Sequence, residues 1–247
     1  MELFELLVAG AVIGLLLGVL GAGGAIFTAP ILILVFDAPV HEATTVSLVV
    51  VLMAALSGLV GRRGTRSVQW REGALFGAVG IVGAAAGSWM ATLVSPTWLT
   101  VAFALLLVVA AVPMWRRPPA DSGGQARKSL WAVAAAAVVV GLVTGFFGVG
   151  GGFVIVPALV LFLGFGIVEA TATGLLVIGI NVVAALLVRG VEYLDWQVAL
   201  PMAAGAVAGS FVGARVSQHA PQQRLRQAFA VVMIGAAVLL GLQTAAG

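Results

Sequence analysis

Two glycine runs interrupt otherwise apolar stretches of the chain, and their chemistry is the most distinctive in the sequence. The first is Gly-Ala-Gly-Gly at 21–24, the second is Gly-Val-Gly-Gly-Gly at 148–152, and an apolar segment follows each run. Glycine is the poorest helix former after proline, so we expect a helix to end at each run and another to begin behind it. The free N–H groups at such a beginning carry partial positive charge and suit an anion. A plain structural turn is the alternative interpretation.

Backbone and side-chain donors near these runs form the predicted binding site. The candidate backbone contacts are the glycines nearest the new helix starts: Gly23, Gly24, Gly151 and Gly152. The candidate side-chain contacts lie in the segments that follow: Thr44, Ser47, Thr171, Thr173 and Asn181. The hydroxyls either bond back to their own helix or turn toward a ligand. The amide of Asn181 is costly in lipid unless it is hydrogen-bonded, so it serves helix packing or ligand contact.

Two acidic residues open the same segments and have two possible roles. Glu42 and Glu169 lie at predicted helix starts, where a carboxylate complements the helix dipole. Capping is therefore one role, and proton coupling is the other. His41 is an isolated histidine, and no Cys or His-Glu-x-x-His string is present, so we predict no metal, no cofactor and no catalytic residue.

Composition identifies the environment of these residues. Apolar residues make up 62% of the 247 residues, charged residues make up 9%, and the mean hydropathy is +1.19. These values predict an all-α polytopic membrane protein, because apolar stretches of about 20 residues match the bilayer core. The net charge of +3 comes from a few basic residues in short connections, which indicates topology rather than nucleic-acid binding. The start, "MELFELL", lacks a basic region, so we expect the first helix to remain in the mature protein.

The chain contains two copies of one unit. A shift of 127 residues superimposes the glycines and the proline of the two breaks. Thus Gly14, Gly18, Gly21, Gly23, Gly24 and Pro30 fall on Gly141, Gly145, Gly148, Gly150, Gly151 and Pro157. The predicted organisation is a membrane repeat at 1–115, a solvated linker at 116–129 and a second membrane repeat at 130–247.

Each repeat contains five apolar segments, which gives eight to ten membrane segments in all. The predicted segments are 4–20, 25–36, 43–60, 72–93 and 98–115, then 130–147, 152–165, 170–188, 196–215 and 226–244. The second segment of each repeat is too short to cross the bilayer alone, because 12 residues of helix span about 18 Å. It therefore belongs either to one kinked crossing or to a pair that goes in and returns.

The basic residues favour the second arrangement. A single kinked crossing in each repeat divides the 12 basic residues 9 to 3 between the two sides, whereas a returning pair divides them 11 to 1. The positive-inside rule prefers the more uneven division. Each repeat then crosses an odd number of times, so we predict inverted repeats with glycine-broken helices and with both termini outside. Glycines spaced four apart, such as Gly10, Gly14 and Gly18, are predicted to pack helices closely.

The duplicated break resembles the sulfite exporter TauE/SafE (TSUP) family. The resemblance rests on Gly18–Gly24 through Pro30 and on Gly145–Gly152 through Pro157. Beyond them it includes His41-Glu-Ala43 with Ser47, and Glu169-Ala170 with Thr173. It implies a secondary transporter in a bacterial-type inner membrane that exports sulfite, organosulfonates or related small anions by alternating access. Ala25 stands where the second copy has Gly152. The alternatives are an anion channel of the same fold, a transporter of another small organic anion, and a non-transporting membrane protein. The oligomeric state is open.

Overall fold

The structure is a computed structural model of the 247-residue chain. It describes residues 3–21, 25, 27–62, 67–116, 129–147, 152–190, 192 and 194–246. Within these ranges the regular structure is helical and no strand occurs. The all-α fold predicted from composition is therefore confirmed.

The first repeat contains five helices. They are α1 (Leu3–Leu20), α2 (Thr28–Leu34), α3 (Val40–Gly61), α4 (Trp70–Ala91) and α5 (Pro96–Arg116). All five predicted segments are present, and their ends differ from the prediction by a few residues. Most of the predicted linker, residues 117–128, lies outside the described residues.

The second repeat also contains five helices. They are α6 (Leu130–Phe147), α7 (Gly152–Leu161), α8 (Ile167–Arg189), α9 (Trp196–His219) and α10 (Gln222–Ala246). The predicted 130–147 segment matches α6 residue for residue. The helix α9 extends beyond the predicted end at 215, because the polar residues after it continue the helix to His219.

Eight of the described helices are long and apolar enough to cross a membrane, and α2 and α7 are the two short ones. Large apolar side chains are exposed on the outside of the bundle, where lipid would cover them. All six tryptophans are exposed and lie near helix ends: Trp70, Trp89, Trp98, Trp115, Trp131 and Trp196. That distribution is typical of the aromatic belts at the two membrane surfaces.

Closely packed glycine seams join helices of different repeats. A Cβ atom on the glycines of α1 would collide with the backbone of α9, and a Cβ on the glycines of α9 would collide with α1. The α1 glycines Gly10, Gly14 and Gly18 face the carbonyls of Met202, Ala206 and Ser210, while Gly205, Gly209 and Gly213 face those of Leu7, Ala11 and Leu15. The packing role predicted for these glycines is confirmed.

The second seam joins α4 to α6 in the same way. Gly83 and Gly87 of α4 face the carbonyls of Val138 and Leu142, and Gly141 of α6 faces the carbonyl of Gly80. Under the sequence shift, α6 corresponds to α1 and α4 corresponds to α9. The first helix of each repeat therefore packs most extensively on the fourth helix of the other repeat.

The order of contacts along each seam gives the helix directions. In the α1–α9 seam, higher numbers in one helix meet higher numbers in the other, so these helices run parallel. Helix α3 is parallel to α9 as well. The hydroxyl of Ser210 donates to the carbonyl of Ala54 at 2.7 Å, and the amide of Gln218 donates to that of Gly61 at 3.1 Å. Helices α1 and α3 therefore run in the same direction, and the chain returns between them through the segment that contains α2.

The corresponding helices of the second repeat behave alike. Helix α4 is parallel to α6 and also to α8, since Gln69 N–H donates to Thr173 Oγ1 at 3.1 Å and Gly77 meets Ile180 further along. Helices α3 and α8 run in opposite directions, because Gly58 meets Leu175 whereas Arg62 meets Val168. It follows that α1 and α6, the first helices of the two repeats, are antiparallel. A kinked single crossing is thus excluded for α1–α2, because α1 and α3 would then be antiparallel.

Candidate functional site

Helices α2 and α7 follow the two glycine breaks, and their first residues, called the restarts below, lie beside each other. Phe27 immediately precedes α2, and Phe153 is the second residue of α7. Their rings meet edge to face with centroids 6.3 Å apart, and Phe153 also packs against Phe229 of α10 at 6.4 Å. An aromatic cluster thus connects the two restarts, which come from different repeats.

One glycine of each run lies within the described residues. Gly21 ends α1 with φ +69°, a left-handed conformation that glycine adopts freely, and a Cβ there would meet the backbone of Thr171. Gly152 is the first residue of α7. The other three glycines predicted to contact a ligand, Gly23, Gly24 and Gly151, lie outside the described residues, so their role stays a prediction.

The predicted hydroxyl ligands are mostly bonded to their own helices. Thr44, Ser47 and Thr171 each donate to the carbonyl three residues earlier, at 3.0, 2.9 and 3.1 Å. Thr173 instead accepts the N–H of Gln69 from the connection before α4, at 3.1 Å. Three of the four predicted hydroxyls therefore donate back to their own helices, which is one of the two expected roles. Each of these oxygens can still accept a hydrogen bond.

The structure does not bring the four hydroxyls together. Thr44 and Ser47 lie near the start of α3, whereas Thr171 and Thr173 lie near the start of the antiparallel α8. Because Gly58 is level with Leu175, the rise of 1.5 Å per residue separates the two pairs by about 20 Å or more along the helices. One small ligand cannot contact both pairs in this arrangement.

Thr28 Oγ1 and Asn181 Oδ1 are among the buried side-chain atoms that have no hydrogen-bond partner in the described part of the chain. Thr28 is the first residue of α2, stands next to Phe27, and is fully buried. An unsatisfied buried hydroxyl is costly, so each such group calls for an explanation such as a ligand. Sequence reasoning identified Asn181 but missed Thr28. The available signal was a hydroxyl directly behind the first glycine run, where the second copy has Ile155.

The two glutamates lie in the first turns of their helices. Glu169 accepts the backbone N–H of Gly166 at 3.3 Å, which confirms the expected capping role at α8. Glu42 lies in the first turn of α3, where its charge complements the dipole. Proton coupling by either residue stays a prediction. Among the described residues, no group of three or more His, Asp or Glu side chains is placed to hold a metal ion.

Arg62 is a buried cation that sequence reasoning used only to assign topology. Its guanidinium donates to Gly18 O at 3.0 Å, to Val168 O at 3.2 Å and to Ser217 Oγ at 2.8 Å. These bonds link the ends of α1, α3 and α9 to the start of α8, and the cation complements the carbonyl ends of three helices. Burial lowers the pKa of Arg62 to about 10, which leaves it charged at neutral pH.

Most described cations share this end of the bundle. The helix directions put the following arginines there: Arg62, Arg71, Arg116, Arg215, Arg224 and Arg226. Arg189 ends α8 at the opposite end. The division agrees with the uneven distribution of charge expected from the sequence.

Comparisons with known proteins identify the family of the chain. The family profile described as "Sulfite exporter TauE/SafE" matches residues 6–240. A probable membrane transporter protein of Xylella fastidiosa (strain 9a5c) is 30% identical over 93% of this chain and 91% of its own length. The probable membrane transporter protein YdhB of Bacillus subtilis is 26% identical over 92% of this chain and 96% of its own.

No solved structure matches the chain. The family match nevertheless covers both repeats, both breaks and all eight long helices in whole or in large part. With bacterial relatives named as transporters, it identifies an integral protein of the plasma membrane. The chain belongs to the TauE/SafE sulfite exporter family of membrane transporters.

Proposed function

We propose that this chain is a secondary transporter that exports small sulfur-containing anions such as sulfite or organosulfonates. Membership of the TauE/SafE family supports the substrate class. The chemistry of the two breaks supports an anion, because glycine-rich backbone N–H groups and the hydroxyl of Thr28 are hydrogen-bond donors. No covalent step is needed for this function.

The two repeats are proposed to be inverted copies that rock against each other. The antiparallel directions of α1 and α6 support the inversion, and so does the returning segment in each repeat. Inverted repeats are a common basis of alternating access in secondary transporters.

The proposed substrate site lies between the restarts of α2 and α7. The observation that carries it is the contact of Phe27 with Phe153, next to the buried and unpartnered hydroxyl of Thr28. Backbone N–H groups near Gly23, Gly24, Gly151 and Gly152 would supply the remaining donors. Asn181, with its own unpartnered oxygen, is a candidate for a second contact.

Counterflow in proteoliposomes tests this function. Purified protein would be reconstituted with sulfite inside, and uptake of labelled sulfite would be compared with thiosulfate, sulfoacetate, taurine and acetate as competitors. We expect saturable exchange, with competition by the sulfur anions and little by acetate. Thr28→Val should raise the KM for sulfite about ten-fold, as expected for one lost hydrogen bond to an anion.

Two controls separate this proposal from its rivals. A channel of the same fold would conduct without counterflow or saturation, and a non-transporting protein would show neither flux nor binding. Gly24→Leu and Gly151→Leu should abolish exchange, while Gly235→Leu, at a position with open space around it, should not. Unchanged exchange in the first two variants would mean that the site lies elsewhere.

The membrane orientation follows from the charges. The end that carries Arg62 and Arg215, with the linker at 116–129, is proposed to face the cytoplasm. Both termini then lie outside. A reporter fused to the C-terminus that is active only in the cytoplasm should be silent, and an active reporter would reverse the assignment.

A further inference from the structure

A lipid-facing groove runs between α3 and α9 in the half of the bundle that carries most cations. It has a volume of about 480 Å³ and is lined by Met53, Leu56 and Val60 of α3 and by Val207, Ala208 and Phe211 of α9. The three α3 side chains are between 43% and 49% exposed, so the groove opens toward the bilayer. The site proposed for the substrate is formed by other residues.

The groove suits hydrocarbon rather than a small anion. Its one polar side chain, Ser57, donates its hydroxyl to the carbonyl of Val207 at 2.7 Å. That bond satisfies the donor within the protein and leaves an apolar lining. Van der Waals contact with an acyl chain is the interaction that such a surface can make.

A cation lies at one end of this groove. The guanidinium carbon of Arg215 stands 4.2 Å from the centre of the Phe211 ring, so a cation–π contact places the charge against the groove wall. Arg215 is exposed, and no carboxylate among the described residues pairs with it. An anionic group outside the protein can therefore reach it.

The length of the groove along the helices matches the thickness of one leaflet. The lining extends about 10 Å along α3 from Met53 to Val60, and Arg215 follows Phe211 by about 6 Å along α9. The hydrocarbon of one leaflet is about 15 Å thick, which is half of the bilayer core. A lipid tail in the groove would thus bring its phosphate to the level of Arg215.

We propose that the groove between α3 and α9 binds an anionic phospholipid of the cytoplasmic leaflet, with an acyl chain on the apolar lining and the phosphate group on Arg215. A second copy of the chain is a poorer occupant, because a symmetric interface here would bring two Arg215 side chains of like charge to the same membrane level. Since α3 and α9 belong to different repeats, the bound lipid would contact both.

Lipid titration of the purified protein tests the proposal. The protein in detergent would be titrated with phosphatidylglycerol or phosphatidylcholine, and bound lipids would be counted by native mass spectrometry. We expect tighter binding of phosphatidylglycerol. Arg215→Gln should weaken that binding about five-fold, which corresponds to one cation at a membrane surface. The matched control is Arg224→Gln, an exposed arginine at the same end of the bundle, which should bind like the wild type.

A second pair of variants fills the groove without changing charge. Leu56→Trp should prevent binding, whereas Val231→Trp, on the lipid-facing side of α10, should leave it intact. Equal affinity for the two lipids would overturn the proposal, and so would equal losses in Arg215→Gln and Arg224→Gln. A dimer that Leu56→Trp dissociates, with lipid binding unchanged, would assign the groove to a second copy instead.

Discussion

The two glycine breaks share a backbone design and differ in their chemistry. In both repeats a long helix ends at a glycine run, the chain returns through a short helix, and the first long helix packs parallel to the fourth helix of the other repeat. At the restart, however, the first break presents the buried hydroxyl of Thr28, whereas the second presents Ile155, which is equally buried. The scaffold is thus duplicated and the polar chemistry is not.

A second difference lies at the end of the first break. Arg62 joins the carbonyl of Gly18, three residues before Gly21, to α8 and α9. Its sequence counterpart, Arg189, ends α8 at the other end of the bundle. The inversion places the two arginines at opposite ends of the bundle, and Arg62 lies at the end that carries most described cations. The symmetric parts provide packing, and the asymmetric parts provide polar contacts beside the first break.

The largest expected effect concerns the shared scaffold. Gly14→Leu and Gly141→Leu should each destabilise the protein by about 3 kcal/mol or more, because each side chain would collide with the backbone of the facing helix. Thermal unfolding in detergent measures the loss, and Gly235→Leu on open space in α10 is the control. A large loss in one variant alone would show that the two seams are not equivalent.

Much of this scaffold was predictable because its signals are local and repeated. Glycines four apart predicted close helix packing, and the aligned runs predicted two breaks and a returning segment. What no local signal provided was the partner of each seam. Gly14 packs on Ala206, about 190 residues away in sequence, and every glycine face in the chain offers a similar surface. The exchange of partners between repeats depends on the whole bundle.

The candidate site was predicted less well, for two physical reasons. Thr44 and Thr171 are equivalent positions, and equivalent positions in antiparallel helices lie at opposite ends. One shell made from both is therefore incompatible with the inversion predicted from the same sequence. Arg62 follows a helix in a basic connection, so its sequence context resembles that of any loop arginine that helps to set the membrane orientation. Its burial depends on three carbonyl and hydroxyl acceptors from distant parts of the chain.

The second prediction tests the buried cation. Arg62→Met should cost about 2–4 kcal/mol, since three acceptors lose a charged donor in a buried place. Arg62→Lys should recover part of the loss, because an ammonium group cannot reproduce the planar fork. Arg224→Met, on an exposed side chain, should change stability by less than about 0.5 kcal/mol. Equal shifts of the unfolding temperature in Arg62→Met and Arg224→Met would show that the buried arginine stabilises the protein no more than the exposed one does.

The third prediction exchanges the chemistry of the two restarts. Thr28→Val should leave stability unchanged or raise it by about 1 kcal/mol, because it removes a buried hydroxyl without a partner. Ile155→Thr should lower stability by about 2 kcal/mol, since it buries a hydroxyl and removes apolar contact. Thermal unfolding without substrate measures both. A clear loss of stability in Thr28→Val would mean that the hydroxyl stabilises the fold and is not reserved for ligand binding.

The smallest expected effects concern the two equivalent glutamates. Glu169→Ala should cost about 1 kcal/mol, because the N–H of Gly166 loses its acceptor at the start of α8. Glu42→Ala should cost about 0.3 kcal/mol, which is the scale of a dipole interaction in the first turn. Glu169→Gln keeps an acceptor oxygen and should retain the cap. If this last variant unfolds like the wild type but loses proton-driven flux in liposomes, Glu169 couples protons as well as capping α8. Retained flux limits the role of Glu169 to capping the start of α8.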